Sequence, residues 1–158
     1  MKNNKKIMVA VLSAAIGYAD MVSAHSQPGA IGRKNSKAGG TDVYQVTCFD
    51  DGTGAPDHLF LHVRDLLPRN PALISVQATL ATTGETTALS TDWGRDGDAS
   101  FSVPDLILAG GASGIYNVSV NKTRSKIIGR EIYLVEFHCQ TALGEHTGTN
   151  DPVMLQNQ

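Results

Sequence analysis

Two short segments that alternate apolar and polar residues, each with a cysteine near its end, constrain the fold of this chain most strongly. VYQVTCF contains Cys48, and EIYLVEFHC ends at Cys139. Because successive side chains of a β-strand point to opposite faces, each segment is typical of a strand with one buried face. Both cysteines fall on that buried face. They are the only two cysteines of the chain, so the sequence predicts a disulfide between them.

The chain between these segments continues in short alternating runs. LFLHVRD, ALISVQATL and GIYNVSVNK carry apolar residues at every second position, and Gly, Pro, Asn and Asp separate them. No segment after residue 24 has a sustained helical period. Seven or eight such strands are typical of an all-β fold, an antiparallel β-sandwich that is immunoglobulin-like or jelly-roll-like. The disulfide would link its first and last strands.

The first 24 residues have the composition of a signal peptide. Three lysines precede an apolar run from Ile7 to Ala19, and the small-residue segment VSA ends at Ala24. This order is typical of exported proteins, and the apolar run is too short for a membrane span. We therefore predict a signal peptide at residues 1–24 and a secreted or periplasmic protein that is not an integral membrane protein after cleavage.

The remaining residues divide into three parts. Residues 25–41 are rich in Gly, Ser, Lys and Asn, which predicts a flexible lead-in. Residues 42–150 hold the alternating runs and form the predicted sandwich domain, and residues 151–158 form a tail. After residue 24 the chain has ten Lys and Arg against fourteen Asp and Glu, a net charge of −4. Without a basic excess, nucleic acid is not an expected partner.

A possible copper site begins at His25. If cleavage follows Ala24, His25 becomes the first residue, and its free amino group and imidazole can chelate copper together. A second histidine then completes a histidine brace, so this start resembles that of copper-dependent polysaccharide monooxygenases. That resemblance implies copper binding. The candidate copper ligands are His25, His58, His62, His138 and His146.

Acidic turns offer a second metal hypothesis, which is calcium. TDWGRDGDAS contains Asp92, Asp96 and Asp98, and Ca²⁺ takes several oxygen ligands from a loop. The stretch lacks the alternating acids and distal Glu of the twelve-residue calcium loop, so a solvated turn is the simpler interpretation.

The sequence also contains no clear catalytic motif. GGASGIY is one residue short of a nucleophile elbow, and a strand follows it instead of a helix.

The sequence therefore favours a secreted or periplasmic protein with a binding or structural role over an enzyme. Its ligand or protein partner is unknown from the sequence. A copper-binding protein that uses His25 is the first alternative. A subunit of a cell-surface fibre is the second, although donor-strand assembly needs an extension with alternating apolar residues, which residues 25–41 lack.

Overall fold

The structure, a computed structural model, describes residues 25–68, 72–94, 100–102, 106–107 and 114–158. The predicted signal peptide lies outside these residues. The described part forms ten β-strands and contains no helix. The strands are β1 (His25–Ile31), β2 (Gly40–Phe49), β3 (His58–Leu67), β4 (Ile74–Leu80), β5 (Ser90–Thr91), β6 (Leu106–Ile107), β7 (Gly114–Lys122), β8 (Glu131–Gln140), β9 (His146–Thr149) and β10 (Val153–Gln156).

The strands hydrogen-bond as one antiparallel sheet that curls into a half-barrel. One half contains β5, β4, β7, β2 and β10, and the other contains β1, β8, β3 and β6. The short strand β9 joins the halves, because it pairs with the end of β2 and with the end of β8. The all-β antiparallel prediction is therefore confirmed, whereas a two-layer sandwich is not, since β9 makes the halves one continuous sheet.

The inner side of the curl holds the apolar core. Along β3, Leu59, Leu61 and Val63 are buried, whereas the intervening Phe60 and His62 are half-buried on the outer side. The predicted inward and outward positions of this strand are thus confirmed. Burying each such Leu or Val stabilises the fold by about 1.5–3 kcal/mol, so side chains that alternate in this way also fix the register of the strand.

The predicted disulfide between Cys48 and Cys139 is present, with its two Cα atoms 5.7 Å apart. Cys48 lies on β2 and Cys139 on β8, so the bond joins the second and eighth of ten strands. The expectation that it links the first and last strands is wrong, because further strands lie outside both cysteines in the sequence. The bond crosses the two halves where β9 also pairs with both cysteines.

Both chain segments outside the predicted sandwich contain strands that the sequence did not predict. The first, β1, pairs with β8 from His25 opposite Phe137 to Ile31 opposite Glu131. The last, β10, pairs with β2. The half-buried positions of β1 that alternate with exposed ones are His25, Gln27 and Gly29, none of them a large apolar residue, and only Ile31 at its end is fully buried. All four residues of β10 are exposed. Backbone pairing with a neighbouring strand, which leaves no pattern in the sequence, forms these two strands.

Gly29 shows how β1 fits against its neighbour. It lies opposite Tyr133, and a Cβ atom there would lie 2.1 Å from Cζ of that tyrosine, so a side chain does not fit. The hydroxyl of Tyr133 donates to Oδ2 of buried Asp42 over 2.7 Å and also hydrogen-bonds the hydroxyl of Tyr44. Burial raises the pKa of Tyr133, which keeps this hydroxyl a donor. The network joins β2 to β8 beneath β1.

Candidate functional site: a ring array on the outer face of β3 and β8

The outer face of β3 and β8 carries histidine and phenylalanine at positions where an exposed sheet usually carries small polar residues. Residues directly opposite each other in an antiparallel pair project to the same face, so the register defines one shared surface. The opposed pairs along β3 are His58 with Gln140, Phe60 with His138, and His62 with Glu136.

His138 lies at the centre of a stack of three rings. Its ring centroid is 4.1 Å from that of His146 on β9, with planes 11° apart. On its other side the ring of Phe60 lies at 4.4 Å, with planes 19° apart. Both faces of the imidazole are therefore covered, and His138 is only 8% exposed although it projects from the outer side of the sheet.

A second group of rings continues from Phe60. The ring of His62 meets that of Phe60 edge-on at 5.0 Å and stacks on Phe101 at 3.8 Å. The guanidinium carbon of Arg64 lies 4.7 Å from the centroid of Phe101, within cation–π range. We call the six side chains in continuous contact the ring array. Its members are His146, His138, Phe60, His62, Phe101 and Arg64.

Hydrogen bonds hold the imidazoles of this face in place. The side-chain amide of Gln140 donates to Nε2 of His138 over 3.1 Å, and its oxygen accepts from Nε2 of His58 over 2.8 Å. Nε2 of His62 lies 2.8 Å from Oε2 of Glu136. Stacking and hydrogen bonding therefore both restrict the side chains of this face.

The environment of His138 also changes its acidity. Burial, followed by the positive charge that His146 and then His62 can carry, lowers the pKa of His138 from its ordinary 6.5 to about 4. His25 and His58 contribute to the same shift. His138 therefore stays neutral at a pH where an ordinary histidine takes up a proton.

Four of the five histidines predicted as copper ligands meet on this face, and the fifth does not. His25 begins β1 opposite Phe137, which belongs to the inner side of the sheet, and its ring lies 6.0 Å from that of Phe137. Nε2 of His25 is 3.9 Å from Oδ1 of Asp151. The four histidines on the ring-array face are His58, His62, His138 and His146.

The stacked arrangement is not a metal centre as it stands. An imidazole coordinates through a lone pair in the plane of its ring, and the nearly parallel planes of His138 and His146 do not meet at one ion. Within the described part of the chain, no group of three or more His, Cys, Asp or Glu side chains is arranged to hold a metal ion.

Of the three predicted calcium ligands, only Asp92 lies within the described residues; Asp96 and Asp98 do not. Asp92 is buried, and its oxygens accept hydrogen bonds from the backbone N–H groups of Asp65 at 2.8 Å and Gly94 at 2.9 Å. Its carboxylate thus stabilises a turn and ties it to β3, instead of being solvated as the simpler interpretation of the sequence had it.

Sequence analysis identified the histidines one by one but missed their grouping with Phe60, Phe101 and Gln140. One signal was available, since Phe60 and His62 occupy outward positions of an alternating strand. Phe101 offers no comparable signal, because it lies in an irregular segment whose contact with β3 depends on the backbone hydrogen bond from Ser102 to Val63.

Comparisons with known proteins do not assign this face a role. No protein-family model matches the chain, and neither a curated protein nor a solved structure is significantly similar to it. In the region that the structure describes, there is no helix of the length and apolarity needed to cross a membrane. The geometry of the site is therefore the basis for a functional proposal.

Proposed function

We propose that this chain is an exported binding protein and that a protein partner contacts the ring array. The observation that carries the proposal is the continuous contact of five rings and one guanidinium on the outer face of β3 and β8. Aromatic residues and arginine are enriched at the centres of protein interfaces, whereas lysine and acidic residues are depleted. On this face, the one carboxylate opposite β3 belongs to Glu136, which is already paired with His62.

The kind of partner follows from how the rings pack. Each ring of the array stacks on at least one neighbour, so part of the array is presented as ring edges, with their C–H and N–H groups. Edges suit a protein surface that offers apolar groups and carbonyl oxygens, whereas a sugar or nucleobase would need a free ring face to stack on. Because the rings are already fixed, binding would cost little side-chain entropy.

Site-specific photo-crosslinking tests this proposal. We expect p-benzoylphenylalanine in place of Phe60, in cells that export the protein, to give a discrete adduct with another protein. The matched control places the same group at Asn117, a half-buried position on β7 in the other half of the sheet. The Phe60 adduct should exceed the control at least tenfold and should fall when His146→Ala shortens the array. Equal adducts at the two positions, or none at Phe60, would contradict a partner at this face.

A copper site built on His25 is a second candidate, and the strand that follows His25 favours it. A brace needs an amino terminus that is held in place. If processing exposes His25, the seven-residue pairing of β1 with β8 would hold it. Copper would then be bound by the amino group and imidazole of His25, and it would supply redox chemistry when bound. The other four histidines lie on the ring-array face, so the second imidazole of a brace is not in place beside His25.

Two otherwise identical proteins separate a copper brace from ordinary histidine binding. One begins at His25 and the other carries one added glycine before it, which moves the amino group away from the imidazole. We expect sub-micromolar binding of Cu²⁺ by the first, measured by calorimetry and electron paramagnetic resonance, and binding at least a hundredfold weaker by the second. Equal affinities, or no binding by the first, would remove this candidate.

A further inference from the structure

The exposed charges of the described residues separate to opposite ends of the sheet. The β1–β2 and β7–β8 loops at one end, which we call the basic end, contain every exposed Lys and Arg: Arg33, Lys34, Lys37, Arg124, Lys126 and Arg130. The opposite end contains every exposed Asp and Glu: Asp50, Asp51, Asp57, Glu85, Glu145 and Asp151. Within the described residues, the exposed charges are therefore strongly polarised although the net charge is modest.

Backbone hydrogen bonds join the two basic loops into one surface. The N–H of Ser125 donates to the carbonyl of Lys37 over 3.0 Å, and the N–H of Gly129 donates to the carbonyl of Ser36 over 3.2 Å. Nζ of buried Lys122 donates to the carbonyl of Ala38 from the same side. The exposed cations are consequently presented together on a fixed platform, although they come from segments nearly a hundred residues apart.

Two isoleucines stand among these cations. In the segment KIIGR, Ile127 is 50% exposed and Ile128 is 53% exposed. The N–H of Ile127 donates to Oγ of Ser125 over 3.0 Å, which holds the turn. Large apolar side chains flanked by Lys and Arg are typical of surfaces that rest in the headgroup region of an anionic membrane. A soluble polyanion would be bound by the cations alone and would leave the isoleucines in water.

We propose that the basic end docks on the surface of an anionic phospholipid bilayer. Ile127 and Ile128 enter the headgroup region, and the surrounding cations contact lipid phosphates. The cations and the two isoleucines lie together at one end of the strands, so the sheet stands with its strands directed away from the lipid. This inference does not rest on the ring array or on copper, because none of those residues belongs to the basic loops.

Vesicle sedimentation of the full protein, purified as the cell exports it, tests the docking. We expect it to sediment with vesicles of phosphatidylglycerol and phosphatidylcholine but not with phosphatidylcholine alone, and to be released by high salt. The double variant Ile127→Ser/Ile128→Ser should bind at least tenfold more weakly. Lys126→Gln should weaken binding about fivefold, the effect of one cation near an anionic surface.

A matched apolar control lies at the acidic end, where Leu143 is 87% exposed next to Glu145. Leu143→Ser should leave vesicle binding unchanged, and circular dichroism should show that both serine variants keep the fold of the wild type. Equal binding to neutral and anionic vesicles, or full binding by the isoleucine variant, would overturn the proposal. Binding to heparin without binding to vesicles would identify a soluble polyanion instead. Salt-sensitive self-association without vesicle binding would show that the basic end meets the acidic end of a second copy.

Discussion

Replacing Cys48 and Cys139 with alanine is expected to lower the free energy of unfolding by about 4 kcal/mol, in the loop-entropy description of a disulfide. The bond closes a loop across a sequence separation of 91 residues, so its loss releases a large part of the unfolded chain. The same bond lies where β9 joins the two halves of the sheet, which adds a local effect. Urea denaturation of the wild-type protein and the double variant measures the difference.

Hydrogen exchange locates that local effect. Amide exchange of Thr147 and Thr149, on β9 opposite the two cysteines, should accelerate more than exchange in the pairing of β4 with β7. Chemical reduction of the wild-type protein serves as a control for packing, since it breaks the bond and keeps both sulfur atoms. A loss below about 1 kcal/mol in both experiments would contradict the loop-entropy description and would mean that the unfolded chain stays compact without the bond.

Acidification is expected to destabilise the protein through His138 by up to about 3 kcal/mol. The pKa of His138 is about 4 in the folded protein and about 6.5 when the side chain is free of its surroundings. Above pH 6.5 the side chain is neutral in both states and has no effect. Between pH 6.5 and 4 the unfolded chain binds a proton that the folded chain does not, so stability falls. Below pH 4 the loss is complete.

Two variants isolate this contribution. His138→Phe keeps a ring between His146 and Phe60, whereas His138→Gln removes the ring, and neither can bind the proton. Denaturation at pH 7.5, 6.5, 5.5 and 4.5 measures the free energy of unfolding at each pH. As the pH falls, this free energy should decrease less for both variants than for the wild type, and the difference should be at most about 3 kcal/mol. The other titratable groups whose charge acts on His138 are His146 from β9, His62 and His58 from β3, and His25 from β1, and both variants retain them. A fall as steep as that of the wild type would place the acid sensitivity elsewhere.

The strands that bury one face could be predicted from the sequence because burial imposes a two-residue period. The segments that contain Cys48 and Cys139 show that period, and the disulfide is predicted because these are the only two cysteines of the chain. The strands β1 and β10 show no such pattern of apolar residues, since only Ile31 of β1 is fully buried and every residue of β10 is exposed. The connection of the halves into one curled sheet depends on β9, four residues of His, Thr and Gly that resemble an ordinary turn.

The candidate site could be predicted only in fragments. The position of His138 on the outward face follows from alternation, but its contact with His146 requires the path of the β8–β9 turn, which the sequence does not encode in any simple period. The separation of basic and acidic residues to opposite ends of the sheet is also visible in the sequence only in fragments. GRKNSKAGG and TRSKIIGR are each visibly basic, yet only the pairing of β2 with β7 and of β1 with β8 brings them to the same end.

The sulfur link between β2 and β8 also has a mechanical meaning. A pulling force applied at residues 25 and 158 would be transmitted through the disulfide, so the loop between the two cysteines would carry no force. Only the segments outside that loop could be extended. Their contour length is about 150 Å, compared with about 450 Å for the whole stretch, at a span of about 3.4 Å per extended residue. A protein held at one end and pulled at the other would thus unfold only over the length of these outer segments. Further extension would require a covalent bond to break.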